Sequence, residues 1–153
     1  MAIGRVYSVP FENLSVTNDS DQDIFEIVNG STSALVLLGF ELYSATTSDE
    51  RVRLRLLRRS TTGTGGSAAT EVPLDGGNTV SAAAAVATLV TAPGTAGSIL
   101  KAWYWSQLSP LIYLPTPEEQ VIVSPSGRVA LNLLTAVAST RNWSGFVKWC
   151  EIG

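Results

Sequence analysis

From Arg51 to Leu56 charged and aliphatic residues alternate without a break, Arg-Val-Arg-Leu-Arg-Leu. A period of two belongs to a β-strand, with Val52, Leu54 and Leu56 toward a core and Arg51, Arg53 and Arg55 facing away. A helix would spread the arginines around its circumference and bury at least one. Ile24 to Val28 also reads as a strand, closed by the turn residues Asn29-Gly30-Ser31. Residues 34–43 are apolar except for Gly39 and Glu41, the pattern of a strand buried on both faces. Further strands are predicted over Ser98 to Leu108, Leu111 to Leu114 and Trp143 to Ile152, the last built into a sheet. Gln120 to Val123 and Arg128 to Leu134 read as a hairpin around Ser124-Pro125-Ser126-Gly127. Arg5 to Val9 and Leu14 to Thr17 flank Pro10, which suits an edge or an extended arm over about residues 1–17. In residues 79–90 alanines favour helix and Val and Thr favour strand; between turns, strand is the reading. With about eight or nine strands and no amphipathic helix, the chain is predicted to be all-β. It reads as one β-sandwich domain over residues 1–153, jelly-roll-like, without repeats.

Composition adds one point. Charged residues are 15% of the 153, against about 25% in an ordinary soluble domain. Ser, Thr, Gly and Asn can keep such a chain in solution, or other chains cover part of its surface. The twelve aromatic residues, many in apolar runs, favour the second reading. A net charge of −3 argues against general attraction to nucleic acid or to an anionic membrane. The weakly polar run over residues 80–92 is too short to span a bilayer. The first residues carry no apolar signal-peptide core, so synthesis in a cytoplasm is expected. Cys150 is the one cysteine, read as a small buried hydrophobe, and no disulfide framework is available.

Chemistry is sparse. Without histidine the chain lacks the usual general base and the commonest metal ligand. Glu118 and Glu119 are adjacent, and neighbours on a strand point to opposite faces, so they would not flank a sugar bond together. Asp19, Asp21 and Asp23 have the spacing that begins a calcium loop. An EF-hand would need Gly at 24 and Glu at 30, where this chain has Ile24 and Gly30, leaving an irregular site or a plain turn. Gly63, Gly65 and Gly66 lack the Lys-Ser/Thr of a phosphate loop and read as a flexible, exposed linker-like segment. No catalytic residue, metal or cofactor is expected.

Two features admit a bland and a sharp reading. Five of the ten basic residues lie between Arg51 and Arg59, and arginine outnumbers lysine eight to two. Arg51, Arg53 and Arg55 are either a solvated face or a subunit contact, where arginine is favoured for its bidentate pairing. Trp103 and Trp105 share a strand face with Tyr104 opposite. They are read as core, as a protein contact, or as a sugar-stacking platform, with the protein contact ranked above the sugar.

Several segments carry a resemblance: Gly4-Arg5-Val6-Tyr7-Ser8-Val9-Pro10-Phe11-Glu12-Asn13, the arginine strand with Thr61-Thr62-Gly63-Thr64-Gly65-Gly66-Ser67, Pro117-Glu118-Glu119-Gln120 leading to Ser124-Pro125-Ser126-Gly127-Arg128, and Ser144-Gly145-Phe146-Val147 with Glu151-Ile152-Gly153. Together they resemble small β-sandwich virion structural proteins of tailed bacteriophages. The resemblance implies a non-enzymatic capsid decoration or cement protein, a homotrimer seated on the major capsid protein. It would be made in the bacterial cytoplasm and carried in the virion. The rivals are a tail or fibre module that binds host-surface carbohydrate and a carboxylate-dependent hydrolase.

Overall fold

The computed structural model describes residues 4–17 and 21–153. Its strands are β1 (Arg5–Val16), β2 (Gln22–Val28), β3 (Ala34–Ser44), β4 (Arg51–Arg59), β5 (Ser67–Ala69), β6 (Val72–Pro73), β7 (Ala85–Val90), β8 (Ala96–Ser106), β9 (Leu111–Tyr113), β10 (Val121–Val123), β11 (Arg128–Leu133) and β12 (Arg141–Ile152). They form two six-stranded sheets, in which every pairing is antiparallel. The first runs β10-β3-β12-β1-β6 with β9 also on β3; the second runs β5-β7-β2-β11-β4-β8.

The pairing is nested. β1 lies on β12, β2 on β11, β3 on β9 and β10, and β4 on β8. Successive outer strands alternate between the sheets, so a long double ribbon is rolled over a common core. This is the connectivity of a jelly roll, and the fold is the all-β sandwich its pattern predicts. The segment between β4 and β8 widens it, placing β6 beside β1 and β7 with β5 beside β2. Twelve strands replace the expected eight or nine, because pieces as short as β5 and β6 leave no readable alternation.

The core holds adjoining aromatic clusters around Trp103 and Trp105 and a separate Tyr7–Trp149 stack. Trp105 meets Trp143 edge-on at 4.9 Å between ring centroids, and Phe40 sits among Phe25, Trp103 and Tyr113. Trp143, Trp149, Tyr7, Phe25 and Phe40 are fully buried. Such rings each remove roughly 150–250 Å² from water, and edge-on pairs add a directional term.

Several local expectations change. β1 is one twelve-residue strand inside its sheet, not an arm or two pieces around Pro10. β12 flanks its whole length and β6 covers Tyr7 and Ser8 on the other side, so Pro10 lies where that second flank is open. The apolar run of β3 is buried on both faces only around Val36, and Tyr43 is exposed. Leu35 and Leu37 face the core, a bulge intervenes against β12, and Phe40 and Leu42 take over. Gly39, at φ 147°, supplies the backbone that the phase change needs. Residues 124–127 do form a turn, closed by Gly127 N–H on Ser124 O at 2.9 Å. Yet β10 and β11 belong to different sheets, so the turn is an arch and not a hairpin. Asn29 pins that arch: its Nδ2 donates to Ser33 O, Val123 O and Ser124 O. Of residues 79–90, only β7 is strand. Cys150 is half-buried and free, its thiol pKa pushed up by burial and then by the Glu151 charge.

Candidate interaction face

β4 is hydrogen-bonded to β11 and β8 on its two flanks. Val52, Leu54 and Leu56 enter the core, while Arg51 and Arg53 are exposed and Arg55 is half-buried on the outer face. The period-two reading therefore holds through Leu56. Beyond it, Leu57 and Arg59 are buried although they continue the arginine side of the strand.

The cause is the loop after β4. Residues 60–66 fold back across the second sheet, where Thr64 pairs with Ala92 and Gly63 N–H donates to both oxygens of Glu26. A Cβ at Gly63 would strike Val90 and the Glu26 carboxylate, so the loop lies this low because it has glycine there. The segment is thus a packed cover, not a free linker.

Beneath it lies a polar network. Arg59 Nη2 and Nε donate to Asp23 Oδ1 and Oδ2 at 2.5 and 3.2 Å, and its Nη1 donates to Gly94 O at 2.8 Å. Asn132 Nδ2 donates to Asp23 Oδ1 at 2.8 Å and to Asp21 Oδ1 at 3.0 Å. Asn132 Oδ1 in turn accepts from Arg55 Nε at 3.0 Å. Burial pushes the Asp23 carboxyl above the ordinary aspartate range, opposed by the Arg59 and Asn132 hydrogen bonds. Glu26 is raised for the same first reason, against the Gly63 N–H. These groups lock the sheet and its cover together, and they hold Arg55 in place at the border of the open face.

The open part is cationic and aromatic. Arg53 lies 5.5 Å from the centroid of the Tyr104 ring, on a side chain 74% exposed. Among the described residues neither Arg51 nor Arg53 has a carboxylate within salt-bridge distance; Arg55, Arg59 and Arg141 do. The structure separates the tryptophans from this face. Trp105 is buried against Trp143, and Trp103 packs half-buried on Phe40 and Tyr113. They are packing residues of the sandwich, and Tyr104 is the ring that reaches solvent.

The remaining chemical candidates disperse. Glu118 and Glu119 are exposed on a 3-10 turn, Pro117–Glu119, instead of a strand. Asp19 lies outside the described residues, and Asp23 is occupied by Arg59. No group of three or more metal-ligating side chains occurs among the described residues. Among the described residues, the concavity of about 590 Å³ beside Gly4, Ser33 and Glu151 is lined by one side-chain carboxylate, and Glu151 already accepts from Ala83 N–H and Ala84 N–H.

No family model, curated protein or solved structure matches the chain. The functional reading therefore rests on the face itself and on the resemblance carried by the sequence. Pattern reading does not foresee the burial and pairing of Asp23, Glu26 and Arg59, and takes Asp23 for a calcium-loop candidate. No local signal marks that burial, since the loop that covers them is read as a linker from its composition.

Proposed function

We propose that the chain is a non-enzymatic structural protein of a tailed-phage virion, a capsid decoration protein that docks on the major capsid protein through Arg51, Arg53 and Tyr104. The observation that carries this is a pair of exposed arginines with no acidic partner among the described residues, beside an exposed ring, on a chain whose net charge is −3. Guanidinium groups in that state gain most from carboxylates on another surface, and tyrosine gives contact area at little entropic cost. A jelly roll is a common fold of capsid proteins and also of lectins, so the fold alone is an analogy.

The test is co-sedimentation with capsids of the host phage. Arg53→Glu should keep wild-type unfolding within about 0.5 kcal/mol, since the side chain is exposed. The same variant should lose capsid binding at least tenfold. Binding at wild-type stoichiometry by both Arg51→Glu and Arg53→Glu would overturn the assignment. Glycan binding abolished by Tyr104→Ala would instead assign this face to a host-sugar adhesin.

A further inference from the structure

The two sheets end in strands of very different length. β5, β9 and β10 hold three residues each and β6 two, whereas β8 has eleven. Among the described residues β8 pairs with β4 alone. At about 3.3 Å per residue it lays out a row of roughly 36 Å in which the backbone groups on one side lack a strand partner. Native edges are normally blunted by shortness, proline, lysine, inward-pointing charges or β-bulges; the bulges of β8 lie between Ala96 and Lys101, and residues 101–106 run straight against β4. β8 contains no proline. Its one charged residue, Lys101, is drawn across to the opposite sheet, with its ammonium 5.2 Å from the Tyr113 ring centroid.

We propose that β8 joins two copies of this chain, antiparallel, about a two-fold axis through Ala102. The choice of a second copy comes from the strand's own register. Against β4, residues 101–106 run regularly, and Leu100 is the extra residue of a bulge before Ile99. Pairing two such strands with Ala102 opposite Ala102 sets Lys101 opposite Trp103 of the second copy, so the lysines do not confront each other. The bulge then brings Ile99 and Leu100 together opposite Tyr104. Ile99 lies on the same outer face as Tyr104, because it pairs with Leu57 where Tyr104 pairs with Arg53. Ile99 is 56% exposed and Tyr104 74%, so one copy's Ile99 meets the edge of the other's Tyr104 ring, whose outward side stays with Arg53 for the capsid contact. Aliphatic–aromatic cross-strand pairs of this kind stabilise a sheet, and small Ala102 leaves room on the axis. The two second sheets become one continuous layer. Such a contact is isologous and closes at two copies, in place of the trimer implied by the resemblance.

Light scattering on a sizing column tests this with the full chain. The wild type should run at about twice the 16.2 kDa chain mass at micromolar concentration. Ala102→Lys puts like charges on the axis and should run as a monomer with an unchanged β circular-dichroism spectrum. In a Cys150→Ser background, Ala102→Cys should cross-link to a covalent dimer on mild oxidation. Ser98→Cys should not, since the two sulfurs would sit roughly 27 Å apart along the strands. A wild-type monomer, a trimer mass, a folded Ala102→Lys that stays dimeric, or equal cross-linking at 98 and 102 would overturn the proposal. A monomer that captures a foreign extended peptide at β8 would overturn it as well.

Discussion

Arg59→Met breaks the buried pair and keeps most of the aliphatic volume. The side chains of Arg59 and Asp23 are 2% and 0% exposed, so solvent screens neither charge. The substitution removes both donors to Asp23 and the donor to Gly94 O, leaving Asp23 with Asn132 as its neighbour in the network. Removing one partner of a buried ion pair costs about 3–5 kcal/mol, a fifth or more of the ~5–15 kcal/mol typical of a domain. Asp23 can escape by taking up a proton, which burial already favours, so the loss should be smaller at pH 5 than at pH 8. Adding Asp23→Asn removes the orphaned charge, and the double variant should lose only about 1–2 kcal/mol for the missing hydrogen bonds. Urea unfolding followed by tryptophan fluorescence measures all three, because Trp105, Trp143 and Trp149 are buried. A penalty below about 1 kcal/mol for Arg59→Met, or a double variant no more stable than the single, would refute the account of this network.

Two further outcomes test the cover and the sheets. The raised pKa of Glu26 means that the folded state holds its proton more tightly than the unfolded chain. Its contribution is therefore fully present below the unfolded value of 4.5 and is lost as pH rises through the folded value. Glu26→Gln still accepts the Gly63 N–H, so its melting temperature should exceed wild type at pH 7–8 and match it near pH 4; a lower value at pH 8 would contradict this. Gly145 lies in β12 between Leu42 of β3 and Phe11 of β1, and a Cβ there would overlap the Glu41 carbonyl oxygen. Gly145→Ala should cost about 1–3 kcal/mol in urea unfolding, and a neutral result would show that the strands part easily at this point.

How the chain advertises its fold differs from strand to strand. Arg51 to Leu56 states its orientation outright, because one face is dry and the other wet over six consecutive positions. The turn at Ser124-Pro125-Ser126-Gly127 is legible from its residues, and Ser126 does take a positive φ of 60°. Whether that turn joins paired strands is not local information. It depends on β3 claiming β10 while β2 and β4 claim β11. The face reads likewise in part: the arginines were visible, but the inward turn of Trp103 and Trp105 follows from Phe40, Tyr113 and Trp143 on the other sheet.

Alternation and turn chemistry alone decide that this chain is all-β and which side of β4 is dry. Both depend on neighbours one to four residues apart, where sterics and side-chain period act directly. Tertiary structure decided the rest. It made β1 an interior strand by supplying β12, more than a hundred residues distant, and it buried Asp23, Glu26 and Arg59 beneath a glycine loop. Burial and pairing are properties of what arrives from elsewhere in the chain, and a carboxylate in sequence carries no mark of the surface that will close over it.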